Sequence, residues 1–382
     1  MCKKVLYIAT CPPFSSGGGS QATRAYMDAV LDIFGRKNVD VMLFEDAFIP
    51  ENYQDICYIK VPSIALHKQA LYFIRGYLSR LTLPLIEYLK NHKDDYNLCI
   101  INSGLVGGKA VPFISSLGIK TVVIHHNYEV EFRRDNKSME TLNGHYLGLV
   151  KRIERMSFRN ADLNLFLTDQ DVRLFHEAYG DADNCYVIGT FDYKEREKEE
   201  FSIMLKEFDL SISGTLANYQ TTVGVLDFYK NYLTIAKQLI PNLKILLTGR
   251  APSQQIVEIQ KKDNDVFTII PDPKKILPVV RRGRVYLCPT CIGGGLKLRA
   301  MDGLKCGMPI LVHEVSSRGY NFFFEKPYFR VYNDKISFEN GLKDLLNYLT
   351  TSPNCEEQIN KDYYEYFGYE KGVERMRRAL QL

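Results

Sequence analysis

The sequence predicts an α/β protein of two doubly wound, Rossmann-like domains facing a cleft. Short apolar runs that end in glycine or polar loops alternate with longer segments of helical period, and the alternation restarts after a charge run near residue 194. A chain of 382 residues also exceeds one typical core and suits two domains.

In the first series, residues 5–9 (VLYIA) read as a buried strand. A loop at 10–19 follows, then a helix at 20–34 with Ser20 as its cap and Ala22, Ala25, Tyr26, Ala29, Val30 and Ile33 on one face. Further strands are predicted at 39–44, 58–61, 98–102, 121–125, 163–167 and 186–188. Helices are predicted between them at 67–91, 109–117, 145–159 and 170–179. Ligands of such sheets bind beyond the carboxyl ends of strands, which singles out the loops after Ala9, Asn102 and His125.

In the second series, strands are predicted at 210–213, 244–248, 266–270, 285–288 and 310–313, and helices at 223–239, 275–282 and 296–306. The boundaries that follow are 1–192 for the first, acceptor-side domain, 193–209 for a charged linker and 210–360 for the second domain. Residues 361–382 read as a C-terminal helix packing back on the first domain.

Hydrophobic and charged fractions of 46% and 25% are those of a water-soluble globular chain, and a net charge of +4 gives no nucleic-acid signature. Nine cysteines lack framework spacing, so reduced thiols and a cytoplasmic location are expected. Residues 1–10 enter a strand with no signal-peptide segment, and no apolar run reaches the ~20 residues of a bilayer span. The segment 67–91 mixes Lys68, Arg75, Arg80 and Lys90 with leucines and aromatics. That composition suits peripheral contact with an anionic membrane, or else a core helix with a solvated basic edge.

Two glycine triplets stand out. Gly17, Gly18 and Gly19 precede the first helix. Gly293, Gly294 and Gly295 precede Leu296, Lys297, Arg299 and Asp302, and Gly307 and Pro309 close that helix. Glycines admit close backbone approach, and the first amides of a helix point at an anion. Cations there oppose the helix dipole by up to ~1 kcal/mol each, which an intervening anion would relieve. No GK[ST] follows either triplet, so a P-loop is excluded, and neither has GxGxxG spacing after its strand, which speaks against a nicotinamide dehydrogenase. The lone Cys288-Pro-Thr-Cys291 has no second pair or neighbouring histidine for zinc, and Asp181-Ala-Asp183 lies far from both triplets in sequence.

The stretch 293–320, GGGLKLRAMDGLKCGMPILVHEVSSRGY, resembles the donor-site signature of family 4 glycosyltransferases (glycosyl transferases group 1), which are retaining enzymes of GT-B architecture. His126-Asn127 with Glu129, the segment 153–168, Gly214 after residues 212–213 and Gly249 after 246–248 resemble other parts of that family in the same order. The resemblance implies a metal-independent, hexosyltransferase-like enzyme of polysaccharide or glycoconjugate synthesis. It would move a sugar from a nucleotide diphosphate-sugar to a hydroxyl of a glycan or lipid-linked glycan, with no separate cofactor and no metal. It further implies that Gly293, Gly294, Gly295 and Leu296 cradle the diphosphate, and that Lys297 and Arg299 neutralise it. Asp302 would take the ribose, Gly17, Gly18 and Gly19 would close over the phosphates, and Gly214 and Arg250 would line the donor. His126 would lie by the reacting sugar, with Glu129 and Glu131 as acceptor-side acids. The chain departs from the family in carrying Asp302 where glutamate is usual and in having no Arg or Lys in the run 214–219. Those departures suit one alternative, a catalytically silent GT-B partner protein; a nucleotide-sugar epimerase on the same fold, acting on the donor without an acceptor, is the other.

Overall fold

The computed structural model of the chain describes residues 3–15, 17–62, 71–135, 143–194 and 205–382. It divides into two compact units, Met1–Arg196 with Phe367–Leu382, and Glu197–Tyr366. Lys68 and most of the charged stretch 193–209 lie outside the described residues.

The first unit is built on seven strands: β1 (Lys4–Ile8), β2 (Val39–Phe44), β3 (Cys57–Val61), β4 (Tyr96–Ile101), β5 (Lys120–His125), β6 (Leu163–Phe166) and β7 (Cys185–Val187). They pair in parallel in the order β3-β2-β1-β4-β5-β6-β7. Val5, Leu6, Tyr7 and Ile8 are all buried. An unbroken apolar run of this kind belongs to a strand covered on both faces.

The second unit has six strands: β8 (Phe208–Thr215), β9 (Ile245–Arg250), β10 (Phe267–Pro271), β11 (Gly283–Cys288), β12 (Ile310–His313) and β13 (Phe329–Tyr332). These are again parallel, in the order β10-β9-β8-β11-β12-β13. Chain order therefore reverses between β1 and β4 in one unit and between β8 and β11 in the other. These two places are the topological switch points at which doubly wound sheets take ligands.

Several predicted helices differ in their limits. The first runs Gly18–Phe34 with Gly17 as its N-cap, and Ser20 sits buried in the first turn with its Oγ 2.7 Å from that of Ser15. The helix expected at 109–117 begins at Gly104, capped by the Ser103 hydroxyl. Gly107 and Gly108, outside the expected limits, let this helix press against helix Asn143–Asn160. A Cβ on Gly107 would collide with the Ser157 hydroxyl, and one on Gly108 would sit 2.5 Å from Ile153.

The single helix expected at 67–91 is interrupted. Gly76 adopts φ +75°, the Gly76 amide bonds the Phe73 carbonyl and the Tyr77 amide bonds the Tyr72 carbonyl. This is a Schellman ending. A new helix, Thr82–His92, then carries Pro84 in its first turn, where a missing N–H is harmless. The helix expected at 223–239 divides into Tyr219–Asn231 and Leu233–Leu239. The helices Glu129–Asp135, Gln254–Lys262 and Lys335–Thr351, and strand β13, had no counterpart in the sequence reading.

The C-terminal segment expected as one helix is two, Cys355–Phe367 and Tyr369–Leu380, parted at Gly368. The second packs within the first unit. Tyr369 Oη donates to Asp32 (2.8 Å), Arg375 Nε donates to the Ile188 carbonyl (2.7 Å), and Gly372 lies against the Phe191 ring.

Candidate functional site

At the second unit's switch point, β8 ends at Gly214-Thr215 and β11 ends at Cys288, from which a loop runs to helix Arg299–Lys305. The Arg299 side chain crosses between the two strand ends. Its Nη1 donates to Thr221 Oγ1 (2.7 Å), in the first turn of helix Tyr219–Asn231, and to Thr290 Oγ1 (3.1 Å) on the loop after β11. Its guanidinium covers Gly214, where a Cβ would lie 3.3 Å from Cζ. The Thr290 carbonyl in turn accepts from Ser316 Oγ (2.6 Å). Arg299 is half-buried, its hydrogen-bond partners are neutral hydroxyls, and among the described residues it forms no ion pair with an acid. A guanidinium presents five donors and keeps its charge, so most of its binding capacity faces the switch point unspent.

The glycine triplet lies beside it, buried, with Gly293 and Gly295 at φ +91° and +71°. The predicted helix start at Leu296 moves to Arg299, so Lys297 lies in the loop before the helix. Its ammonium turns back and donates to the carbonyls of Gly293 (2.9 Å) and Gly294 (2.7 Å), while the Lys297 carbonyl accepts from Tyr320 Oη (2.8 Å). The expectation that both cations occupy the helix's first turn therefore fails for Lys297, whose charge is met partly by backbone carbonyls. Leu296 is half-buried beside it. Asp302, within the short helix, is half-buried and its charge reaches the buried phenols of Tyr286 and Tyr320. Arg250 is exposed at the end of β9 and pairs in register with Thr215.

One residue of this half-site was missed in the sequence. Gln220 is 5% exposed, its Nε2 is buried without a hydrogen-bond partner, and it rests against Gly293, where a Cβ would collide with it. An unpaired buried amide donor costs about 1–3 kcal/mol. A ligand acceptor at the glycine loop would recover that energy. The only sequence signal was position: Gln220 is two residues into the helix that Asn218 caps.

The first unit's switch point gathers the loop after β1, Asn102 after β4 and His126 after β5. The Asn102 carbonyl accepts from Thr10 Oγ1 (2.9 Å), its Nδ2 donates to Thr23 Oγ1 (3.0 Å), and its Oδ1 lies 2.6 Å from His126 Nε2. An acceptor oxygen there places the proton on Nε2 and leaves Nδ1 with a lone pair. Burial lowers His126 to about 4, so its ring is neutral at neutral pH. Gly17, Gly18 and Gly19 are exposed at the start of their helix, and a Cβ on Gly17 would meet nothing within 4 Å.

Two acids from neighbouring helices hold the backbone after His126. Asp171 Oδ1 accepts from the Tyr128 amide (3.1 Å) and Glu154 Oε1 from the Glu129 amide (2.9 Å). The Glu129 carboxylate itself pairs with Arg133 Nε (3.0 Å) within helix Glu129–Asp135, and Glu131 is half-buried on that helix. Glu154 is fully buried, with Oε2 accepting from Tyr179 Oη (2.8 Å). Desolvation, with the Glu129 charge next, raises it well above the ordinary carboxyl range.

The folded state therefore keeps a proton that the unfolded chain releases once pH exceeds the usual glutamate value. Glu154 thus lowers stability as pH rises above ~4.5. Glu154→Gln, which mimics the protonated acid, is expected to match wild type near pH 4 and to exceed it increasingly toward pH 8. Urea unfolding at both pH values measures the difference, and a constant gap would contradict it.

Cys288 and Cys291 are free thiols, both raised by burial, Cys291 to about 11. Among the described residues no three His, Cys, Asp or Glu side chains cluster as metal ligands. No helix among them is long and apolar enough to cross a membrane.

No family model and no curated protein sequence matches the chain. Solved structures match it over nearly its whole length. Sucrose-phosphate synthase from Thermosynechococcus elongatus superposes with a TM-score of 0.72 at 14% identity, covering 99% of this chain and 98% of its own. HepE from Anabaena in complex with UDP gives 0.67 at 12% identity, covering 99% of each chain. The lipopolysaccharide outer core galactosyltransferase WaaB gives 0.67 at 12% identity, also with 99% of each covered. HepE is also known in complex with UDP-glucose. The chain has the GT-B glycosyltransferase fold.

Proposed function

We propose that the protein is a retaining, family 4-like glycosyltransferase that moves a hexose from a nucleotide diphosphate-sugar to a hydroxyl of a glycan or lipid-linked glycan. Its place would be on the cytoplasmic side, in polysaccharide or glycoconjugate synthesis. The observation that carries this reading is Arg299, a half-buried guanidinium bonded to two threonine hydroxyls at the switch point of the second sheet and paired with no acid among the described residues. A diphosphate leaving group supplies the missing charge, and the UDP and UDP-glucose complexes of HepE support a nucleotide-sugar as its source.

In this reading the acceptor oxygen bonds to the anomeric carbon on the face from which the diphosphate departs. The bond to the diphosphate breaks, and the acceptor hydroxyl's proton passes to the departing diphosphate oxygen. Arg299 and Lys297 stabilise the negative charge on the departing diphosphate, in place of a metal. Lys297 exchanges its glycine carbonyls for phosphate oxygens, Gln220 Nε2 donates to the same group, and Asp302 accepts from the ribose. Arg250 and Gly214 line the nucleotide side. In the first unit, neutral His126 offers Nδ1 to a hydroxyl, and the exposed start of helix Gly18–Phe34 suits an anion.

Calorimetric titration with UDP and UDP-glucose tests the reading. Binding is expected, and Gln220→Leu, which keeps the volume but not the donor, is expected to weaken it about 10-fold, the worth of one hydrogen bond near 1.4 kcal/mol. Absence of binding to UDP-, GDP- and ADP-sugars would sink it. The back-turned Lys297 favours a second reading, a catalytically silent partner protein in which those carbonyls retain the ammonium. Binding without turnover, unchanged by Lys297→Ala, is its signature.

A further inference from the structure

A cavity of about 330 Å³ opens in the first unit, away from its switch-point residues in sequence and built from three other segments. The turn 73–76 forms one wall, Lys109 of helix Gly104–Ser116 a second, and Leu149, Arg152 and Ile153 of helix Asn143–Asn160 the third. Of its apolar side chains, Phe73, Leu149 and Ile153 belong to a single hydrophobic cluster of the unit, and Ile74 is exposed beside them. The other lining side chains include three cations, Arg75, Lys109 and Arg152, and no acid among the described residues.

Lys109 Nζ donates to the Arg75 carbonyl (2.6 Å) and lies 4.5 Å from the centre of the Tyr77 ring, which keeps two of its three protons available. Arg75 and Arg152 are exposed, and neither has an ion-pair partner among the described residues. Next to these cations, Ile74 and Leu71 stand 79% and 51% exposed on one face of the same helical turn.

We propose that this pocket binds the phosphate headgroup of an anionic phospholipid, with Ile74 and Leu71 entering the acyl region of the bilayer that presents it. Charge complementarity selects the phosphate, since three cations converge on one cavity without a carboxylate. The apolar floor and the two exposed aliphatic side chains select a lipid over free phosphate, because a soluble ion gains nothing from them. The site lies wholly within the first unit and does not depend on the proposed transfer reaction.

Co-sedimentation of the full chain with vesicles of phosphatidylcholine alone, or with one-third phosphatidylglycerol, tests it. Wild type is expected to bind the anionic vesicles and not the neutral ones. Arg75→Gln with Arg152→Gln is expected to reduce partitioning roughly 30-fold, at about 1 kcal/mol per lost cation. Ile74→Ser, at an exposed position, is expected to reduce it several-fold with all charges intact. UDP affinity in each variant reports that the chain is folded, and its loss in wild type would count against the transferase reading alone. No binding of wild type to anionic vesicles, or equal binding by the double arginine variant, overturns the proposal. Full displacement by millimolar inorganic phosphate, with Ile74→Ser indistinguishable from wild type, would make this a soluble-phosphate site and overturn the lipid assignment.

Discussion

Replacing Arg299 by alanine is expected to lower kcat/KM for sugar transfer by two to three orders of magnitude. The guanidinium's position between β8 and β11 is set by two threonine hydroxyls and the bare backbone of Gly214. It is therefore pre-oriented, and on the proposed reaction needs no rearrangement as charge grows on the leaving diphosphate. Removing one such preorganised donor elsewhere is worth about 2.7–4 kcal/mol in the transition state, which gives the expected factor. The loss should fall mainly on kcat, with a smaller change in UDP affinity, because the leaving group carries more charge in the transition state than in the bound donor.

Arg299→Lys is expected to recover only part, since an ammonium cannot reach both hydroxyls and the ligand in one planar fork. Release of UDP from UDP-glucose, with and without a glycan acceptor, follows the reaction. Thr221 and Thr290 are buried, so leaving their hydroxyls without Arg299 should cost about 1–3 kcal/mol of stability, and rates are compared well below the thermal midpoint. Activity within three-fold of wild type would remove Arg299 from the proposed machinery.

The architecture was legible because parallel strands covered on both faces leave continuous apolar runs, and β1, β5 and β11 show them plainly. What misled were residues whose tertiary use differs from their local preference. Gly107 and Gly108 fell outside the helix expected at 109–117, yet they lie where it packs tightly on helix Asn143–Asn160, a fact that depends on Ser157 and Ile153 some fifty residues away. Gly76, by contrast, did end its helix, and a run of leucines and aromatics on both sides concealed it. In the candidate site, the basic pair and glycine triplet were visible as a motif, but spacing could not say where the helix would start. A three-residue shift turned Lys297 from a helix cation into a side chain that closes its own loop. Gln220 and Glu154 were invisible for a common reason. Their significance is an unpaired donor in one case and a desolvated carboxyl in the other, and neither is a property of residue type.

Gly249→Ala is expected to destabilise the second unit by about 3 kcal/mol or more, and to weaken UDP binding with it. Gly249 is the register partner of Gly214 in the β8–β9 pair and adopts φ +138°, a conformation L side chains rarely take. A Cβ there would collide with the Gly214 carbonyl oxygen, which is backbone and cannot swing aside as a side chain would. Relief requires β8 and β9 to part at their carboxyl ends, and Gly214 is the surface on which the Arg299 guanidinium rests. One methyl group therefore acts on both stability and the proposed anion site. For a unit of this size the thermal midpoint should fall by roughly 6–12 °C. Gly118→Ala supplies the comparison. Its φ is +73°, but a Cβ meets nothing within 4 Å, so only the left-handed strain of about 1 kcal/mol applies. Differential scanning fluorimetry of both variants, with and without UDP, separates the two effects. Equal shifts for the two would show that backbone strain alone acts at Gly249, and that the approach of β9 to Gly214 does not shape the site.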